Sequence, residues 1–220
     1  MTPEPFRRGI YGASGTGKTT LARYLIKDCK RLIVFDPMGD YAKGRGWTTC
    51  HSITGHNGVE GVVKKKDCKN FKIAYIPTAG NEPEDLHKLS LFCLWLQSGY
   101  PKNKKIQNQL TLVADELNLG YPARSHKEKY NGFPSICSRG RHWGINVYGI
   151  SQRVAEINTR FRGNTSSMYI LRQGDLMDID TLSRMLFTVA KQDLLVMKNF
   201  EVIHKDAEII TRFSVPKPKR

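Results

Sequence analysis

The feature that most constrains the fold is a glycine-rich stretch near the N-terminus, GASGTGKT at residues 12–19. It matches the pattern G-x-x-x-x-G-K-[ST], in which glycines let the loop curl so that consecutive backbone N–H groups face an anion. Strand-like residues (GIY) precede the loop and helix-like residues (LARYLI) follow it. Because a helix N-terminus attracts the same anion, the stretch predicts a strand, a phosphate-binding loop and a helix in succession.

The loop also predicts the nucleotide ligands and a metal ligand. We expect the Lys18 ammonium to reach the β- and γ-phosphates of ATP, and the Thr19 hydroxyl to ligate Mg²⁺. The predicted nucleotide-binding residues are Gly12, Ala13, Ser14, Gly15, Thr16, Gly17, Lys18, Thr19 and Thr20. The predicted cofactors are therefore ATP and Mg²⁺.

Two carboxylates follow an apolar run at residues 110–114, in the sequence LTLVADE. Asp115 suits a direct or indirect Mg²⁺ ligand, and Glu116 could orient and deprotonate an attacking water. This pair favours hydrolysis by water over phosphate transfer to a small acceptor. A solvent-exposed acidic turn is the alternative interpretation.

Short apolar runs alternate with helical patterns along the chain, which predicts crossover connections and a mostly parallel sheet. Predicted strands are residues 9–11, 31–35, 72–76, 110–114, 145–150 and 167–171, and predicted helices are residues 18–28 and 84–96. Two more strands at 200–204 and 208–213, with a turn at 205–207, predict a C-terminal hairpin. The fold class is therefore α/β, with a mostly parallel central sheet flanked by helices, and the glycine-rich loop makes the chain resemble a P-loop NTPase of the RecA/ASCE type.

The 220 residues are expected to form one domain. Its core spans about 8–186, with a C-terminal appendage at 187–213 and a basic tail at 214–220. Residues 38–58 and 120–133 are expected to be irregular, because both are polar and rich in glycine. No apolar run is long enough to span a bilayer and no apolar signal segment starts the chain, so a cytosolic protein is expected.

The formal net charge of +15 raises the expectation of a polyanionic partner. A solvated basic surface without a partner is the alternative. The five cysteines are scattered and form no C-x-x-C pair, which argues against both a disulfide framework and a zinc site. Proximity of Cys50, His51 and His56 is weak evidence for a metal site, since paired ligand spacing is missing.

Beyond the glycine-rich loop, three stretches resemble the HerA/FtsK superfamily of DNA-pumping ATPases. They are VFDPMGDYA at 34–42, VADE at 113–116, and the run at 140–172 that contains GRHWGINVYGISQR. The resemblance covers roughly residues 8–186. Asp40 stands where the family has Glu, and Val154 stands where it often has Pro. The chain resembles the compact genome-packaging ATPases of membrane-containing icosahedral viruses, and small plasmid or cellular members of the superfamily are the alternative.

The resemblance implies roles for three further residues. Gln152 would sense the γ-phosphate or the lytic water. Arg141 or Arg139 would be an arginine finger presented to the nucleotide of a neighbouring subunit, where a guanidinium neutralises developing phosphoryl charge. Contact with DNA phosphates, or simple surface charge, is the alternative for either arginine.

Positive, flexible segments would line the channel of such a ring. Candidates are residues 124–129, with Tyr121 and Tyr130 nearby, and the 38–58 segment with Lys43, Arg45 and Trp47. Such contacts to phosphates carry no sequence information. Ordinary solvated loops are the alternative.

The first hypothesis is an ATP-driven translocase of double-stranded DNA, a viral genome-packaging motor that acts as a homo-oligomeric ring (pentamer or hexamer). Its expected partners are DNA bound without sequence specificity and a capsid vertex or portal protein. Its expected location is the host cytoplasm or the virion packaging vertex. A nucleotide-driven assembly or secretion ATPase is the second hypothesis, and a small-molecule kinase the third.

Overall fold

The computed structural model describes residues 4–124 and 127–216. Its strands are β1 (Arg7–Tyr11), β2 (Arg31–Phe35), β3 (Thr48–Cys50), β4 (Phe71–Tyr75), β5 (Leu110–Ala114), β6 (Ile145–Ser151), β7 (Ser167–Ile170), β8 (Glu201–Asp206) and β9 (Ile209–Ser214). Its α-helices are α1 (Lys18–Ile26), α2 (Val59–Lys65), α3 (Glu82–Leu96), α4 (Leu117–Gly120), α5 (Gly132–Arg139), α6 (Thr159–Asn164), α7 (Leu176–Leu186) and α8 (Lys191–Leu195).

The strands of the described chain form a single sheet in the order β3-β4-β2-β5-β6-β1-β7-β8-β9. Neighbours from β3 to β7 run parallel, whereas β8 is antiparallel to both β7 and β9. The predicted fold class is confirmed, since helices connect mostly parallel strands and a C-terminal hairpin is present. The hairpin continues the central sheet, because β8 pairs along β7.

Both faces of the sheet are covered, which explains the uninterrupted apolar runs of its central strands. In β2, Ile33 and Phe35 join one buried cluster, while Leu32 and Val34 join the cluster on the opposite face. Alternate residues of a strand point to opposite faces. A strand that is apolar at every position is therefore stable only between two helical layers.

Parallel pairing brings the ends of β1, β5 and β6 to one edge of the sheet. Tyr11 of β1 is in register with Ser151 of β6, and Ala114 of β5 is in register with Gly149 of β6. The residues that follow these strands are the glycine-rich loop, Asp115 with Glu116, and Gln152. This edge is called the loop edge below.

Some predicted boundaries were wrong. The segment 38–58 contains β3, a three-residue strand that pairs with β4 at the sheet margin. The predicted turn at 205–207 lies later, because Lys205 and Asp206 are paired within the hairpin ladder. Helix α1 ends at Ile26 rather than 28, and α3 starts at Glu82 rather than 84.

Within the described part of the chain, no helix is both long and apolar enough to cross a membrane. Of the predicted basic tail, Ser214 belongs to β9 and residues 217–220 lie outside the described residues.

Candidate active site

The glycine-rich loop connects β1 to α1 and has the backbone shape that its glycines allow. Gly15 and Gly17 have φ values of 71° and 106°, a region that side chains rarely adopt. The Thr16 hydroxyl donates to the Ala13 carbonyl at 2.8 Å across the loop. The Gly12 and Ala13 N–H groups are bonded to Ser151 and Arg172 carbonyls, at 3.3 and 2.8 Å. The neighbouring strands thus anchor the start of the loop and leave its tip open.

Lys18, the first residue of α1, folds its side chain back over the loop. Its ammonium donates to the Ala13 carbonyl at 3.0 Å, and the residue is buried. Burial lowers the pKa of Lys18, and the nearby Glu116 and Asp115 carboxylates oppose that shift. A phosphate group in the loop would give this buried cation a stronger partner than a carbonyl oxygen.

Asp115 follows β5 and is only 5% exposed. Burial raises the pKa of its carboxyl group to about 7, the Glu116 charge adds to the rise, and Lys18 opposes it. A carboxyl in this state lacks a sufficient positive neighbour, which a metal ion would supply.

Mg²⁺ fits these groups. It is commonly held by one or two protein oxygens, together with substrate phosphates and waters. The Thr19 hydroxyl and the Asp115 carboxylate at the loop edge are oxygen ligands of that kind, and both line one cleft. Among the described residues, this site included, no group of three or more His, Cys, Asp or Glu is placed to hold a metal.

Glu116 and Gln152 are brought together from different strands. Glu116 has a left-handed backbone, with φ 43° and ψ 53°. The Gln152 amide donates to the Glu116 carboxylate at 2.7 Å. A non-glycine residue in this region is strained, and such strain is concentrated at functional sites.

The residues around Gln152 fix its position. The Ser151 hydroxyl donates to Asn118 at 2.8 Å and accepts the Arg153 N–H at 3.0 Å. The Arg153 guanidinium lies 3.0 Å from the buried Asp178 carboxylate of α7. Gln152 is therefore held in place by the contacts of its two neighbours in sequence, Ser151 and Arg153.

A loop after β2 closes one side of the site. The buried Asp36 carboxylate accepts the N–H groups of Asp40, Tyr41 and Ala42 at 2.9 to 3.0 Å. Arg23 of α1 donates to the Asp40 carbonyl. The DPMGDYA motif thus builds a turn that carries Met38 and Asp40 to the cleft.

These elements enclose a cleft of about 310 Å³. Its lining combines the predicted residues of the loop, the acidic pair and Gln152 with three residues outside the predicted site. The lining residues are Ser14, Gly15, Gly17, Lys18, Thr19, Thr20, Met38, Asp40, Asp115, Glu116, Gln152 and Phe200. Phe200 was missed because it lies 180 residues further along the sequence, and no local motif marks it. A larger groove of about 670 Å³ contains Trp95 and Tyr75, but none of the predicted site residues.

The two finger candidates lie away from this cleft. Arg139 and Arg141 precede β6 and so lie at the sheet edge opposite the loop edge. Both are exposed, and the Arg141 guanidinium is 3.4 Å from Glu4. Neither residue lines the cleft.

The structure changes the interpretation of the aromatic residues near the basic segments. Tyr121 is buried and packs edge-on against Phe133, with ring centroids 5.4 Å apart, so it is a core residue. The Tyr130 hydroxyl bonds Glu84 at 3.0 Å, and Trp47 packs on Tyr41. Arg45, Arg124 and the lysines of the two segments are exposed, while residues 125–126 lie outside the described residues.

The structure is similar to several solved ATPases. It aligns with the genome packaging NTPase B204 from Sulfolobus turreted icosahedral virus 2 in complex with ATP-gammaS, with a TM-score of 0.74 and 13% identity. The alignment covers 96% of this chain and 98% of that one. For the DNA-packaging ATPase B204 from Sulfolobus Turreted Icosahedral Virus, the TM-score is 0.73 at 16% identity, over 98% and 100% of the chains. VirB4 of Thermoanaerobacter pseudethanolicus aligns with a TM-score of 0.66 and 13% identity, over 96% and 89%.

At these identities the likeness establishes the fold, which is that of a P-loop ATPase. A comparison with curated protein sequences gives no significant match. The family model described as the central domain of helicase HerA matches residues 7–129, which is more than half of the chain. The matched segment includes the glycine-rich loop and the Asp115-Glu116 pair. The chain therefore belongs to the HerA central-domain family.

Proposed function

We propose that this protein hydrolyses ATP to drive double-stranded DNA through a homo-oligomeric ring, as the motor of viral genome packaging. The observation that carries the proposal is the 2.7 Å hydrogen bond from Gln152 to Glu116, within one cleft with the glycine-rich loop. It joins a candidate base and a candidate sensor where a terminal phosphate would lie.

Each residue has a defined part in this hydrolysis. Loop N–H groups and Lys18 would bind the phosphates, and Thr19 and Asp115 would hold Mg²⁺, which would supply positive charge against the phosphate oxygens. Glu116 accepts a proton from the attacking water, and Gln152 holds the Glu116 carboxylate in place through the amide hydrogen bond.

The DNA part of the proposal rests on charge and family. The net charge of +15 suits a polyanion, and exposed Arg45, Arg124 and Lys127 offer phosphate contacts. B204, described as a DNA-packaging ATPase, aligns over nearly the whole of both chains. Docking on a capsid vertex or portal protein, and a location in the host cytoplasm or at the packaging vertex, belong to the same proposal.

The test is steady-state ATP hydrolysis by the wild type and by Glu116→Gln, with and without double-stranded DNA, across a salt series. Exposed Glu208→Gln in the C-terminal hairpin is the matched control. We expect DNA to stimulate the wild type, high salt to abolish the stimulation, and Glu116→Gln alone to lose turnover. Hydrolysis that ignores DNA at every salt concentration would overturn the DNA proposal and favour an assembly or secretion ATPase. Turnover retained by Glu116→Gln would overturn the assignment of the base.

A further inference from the structure

Phe200 occupies an unusual position beside the glycine-rich loop. Its N–H donates to the Thr16 carbonyl at 2.9 Å, and its own carbonyl accepts the Val215 N–H at 2.8 Å. A Cβ atom built on Gly17 would lie 2.7 Å from the Phe200 ring, so the ring rests directly on the loop. The C-terminal hairpin thus delivers one aromatic side chain to the nucleotide cleft.

The backbone of Phe200 lies in the left-handed region, with φ 71°. A bulky residue rarely adopts this conformation without surrounding contacts that require it. The two flanking hydrogen bonds hold the backbone of Phe200, and its side chain lines the cleft. Among the described residues that line the cleft, Phe200 is the aromatic one.

The order of the strands sets the direction in which a nucleotide lies. Glu116 and Gln152 follow β5 and β6, on one side of β1, whereas Phe200 precedes β8 on the other side. Hydrolysis requires the terminal phosphate beside Glu116 and Gln152. The ribose and base of a triphosphate bound along the loop therefore extend toward β7 and β8, where Phe200 lies.

We propose that Phe200 is the base-binding residue of the cleft and that its ring packs against the base of the bound nucleotide. The inference rests on the proposed nucleotide function and adds its specificity. A phenyl ring forms no directional hydrogen bond with a base, and stacking is tolerant of base identity. The larger purine rings stack over more area, so ATP and GTP bind more tightly than CTP and UTP, with little difference between the two purines.

The test is calorimetric titration of ATP, GTP, CTP and inorganic tripolyphosphate, each with Mg²⁺, into the wild type, Phe200→Leu and Phe200→Trp. Phe187→Leu is the matched control, because Phe187 also has a positive φ of 56° but is 85% exposed and lies outside the cleft. Base stacking on an aromatic ring predicts that Phe200→Leu weakens ATP binding roughly tenfold to hundredfold. Tripolyphosphate affinity should stay unchanged, and Phe200→Trp should retain ATP binding.

Equal losses of ATP and tripolyphosphate affinity in Phe200→Leu would overturn the inference, since the ring would then support only the loop. Unchanged ATP affinity in Phe200→Leu would overturn it as well. Thermal unfolding of each variant identifies any loss caused by misfolding; Phe200→Met then replaces a Phe200→Leu variant that fails to fold, and Phe200→Tyr replaces a Phe200→Trp variant that fails to fold. A wild type that binds tripolyphosphate but not nucleotides contradicts the proposed function itself, which separates the two failures.

Discussion

Asp115 at the loop edge is a buried carboxyl group whose negative charge is only partly compensated by its neighbours. Burial raises the pKa of its carboxyl group to about 7, the Glu116 and Asp36 charges add to the rise, and Lys18 opposes it. Lys18 has the opposite shift, because burial lowers its pKa. Both groups would gain favourable partners from a phosphate chain with its metal. The cleft is therefore more stable with a ligand than without one.

The raised pKa of Asp115 predicts a pH-dependent stability in the nucleotide-free protein. Its pKa is about 7 when folded and 3.8 when unfolded, so folding favours the protonated form. Stability from this group is complete below pH 4 and is lost as the pH rises to about 7. We expect Asp115→Asn to be the more stable protein at pH 8, by at most about 4 kcal/mol. Chemical unfolding from pH 4 to pH 8 measures the difference, which should level off above about pH 7.

Other shifted groups, such as Asp36, remain in both proteins and largely cancel in that comparison. Asp206→Asn, at an exposed position, serves as the control. A stability difference that stays constant across the pH range would contradict the assignment of the shift to Asp115.

Gln152 gives a second prediction at the residue scale. Gln152→Met keeps the length of the side chain but removes the amide that holds Glu116 at 2.7 Å. Misplacing a general base lowers the catalysed rate, so we expect kcat to fall roughly tenfold to hundredfold while ATP affinity changes little. Steady-state kinetics and calorimetric titration measure the two effects, with exposed Gln192→Met as the control. A fall in ATP affinity without loss of kcat would assign Gln152 to binding instead.

At the scale of elements, α7 supports the segment that follows Gln152 through one cluster of ion pairs. Arg153 lies within 3.5 Å of Glu156 and Asp175, and 3.0 Å from Asp178. The Asp178 side chain is 2% exposed and also accepts the Ala155 N–H at 2.9 Å. The segment after Gln152 is therefore tied to the start of α7, and a displacement of either would shift the other.

A double-mutant cycle of Arg153→Met and Asp178→Asn tests this tie. Arg153→Met leaves the Asp178 carboxylate buried without its cation, which should cost about 1–3 kcal/mol of unfolding free energy, because Arg153 is itself partly exposed. The double variant should lose less than the two single losses combined, by about 1 kcal/mol. Urea unfolding measures all four proteins. If the losses of unfolding free energy are strictly additive, α7 and the segment that follows Gln152 are energetically independent.

The central strands were predictable because most of their residues are apolar on both faces, as in residues 32–35 of β2 and 112–114 of β5, and such runs are stable only inside a covered sheet. β3 was not predictable, since Thr48–Cys50 is a short edge strand among glycines and gains its stability from pairing with β4. The glycine-rich loop and the Asp115-Glu116 pair could be singled out from the sequence as candidate site residues, because each is a contiguous motif. The position of Phe200 beside the cleft could not be predicted, because it depends on the pairing of β8 with β7.

For Tyr121 the error was of the opposite kind, because the sequence suggested a surface role for a residue that lies in the core. An aromatic residue beside a basic segment is typical of nucleic-acid contacts, but Tyr121 packs against Phe133 inside the molecule. A single sequence does not distinguish an aromatic side chain that enters the core from one that faces solvent. Residues 124 and 127–129 are charged and exposed, so DNA contact by this segment stays a prediction. The salt dependence of DNA-stimulated hydrolysis tests it.

At the scale of the whole molecule, the residues proposed for catalysis lie at two opposite edges of the sheet. Glu116 and Gln152 lie at the loop edge, and exposed Arg139 and Arg141 lie at the other. A head-to-tail contact between copies of the chain can bring the second edge of one copy against the loop edge of the next, and such contacts form a ring when the rotation from copy to copy closes. A ring would thereby complete each cleft with a guanidinium from its neighbour.

Mixing two inactive variants tests this arrangement directly. Glu116→Gln lacks the base but keeps Arg141, whereas Arg141→Ala keeps the base but lacks the finger. If Arg141 acts across the interface, a cleft of Arg141→Ala next to a Glu116→Gln subunit has both groups, and roughly a quarter of the interfaces in an equimolar random ring are of this kind. We expect hydrolysis to reappear on mixing, up to about that fraction of wild-type turnover. An exposed arginine of α7, in Arg184→Ala, is the control and should be active alone.

The same mixture made with Arg139→Ala decides between the two arginines, because only the variant that lacks the true finger is inactive alone and restored by Glu116→Gln. Subunit exchange must be allowed before the assay, since preformed rings of one variant contain no mixed interfaces. If Arg141→Ala and Arg139→Ala are both fully active alone, neither arginine contributes across the interface. An inactive variant that mixing leaves inactive would place its arginine in a structural role, since neither arginine lines the cleft of its own subunit.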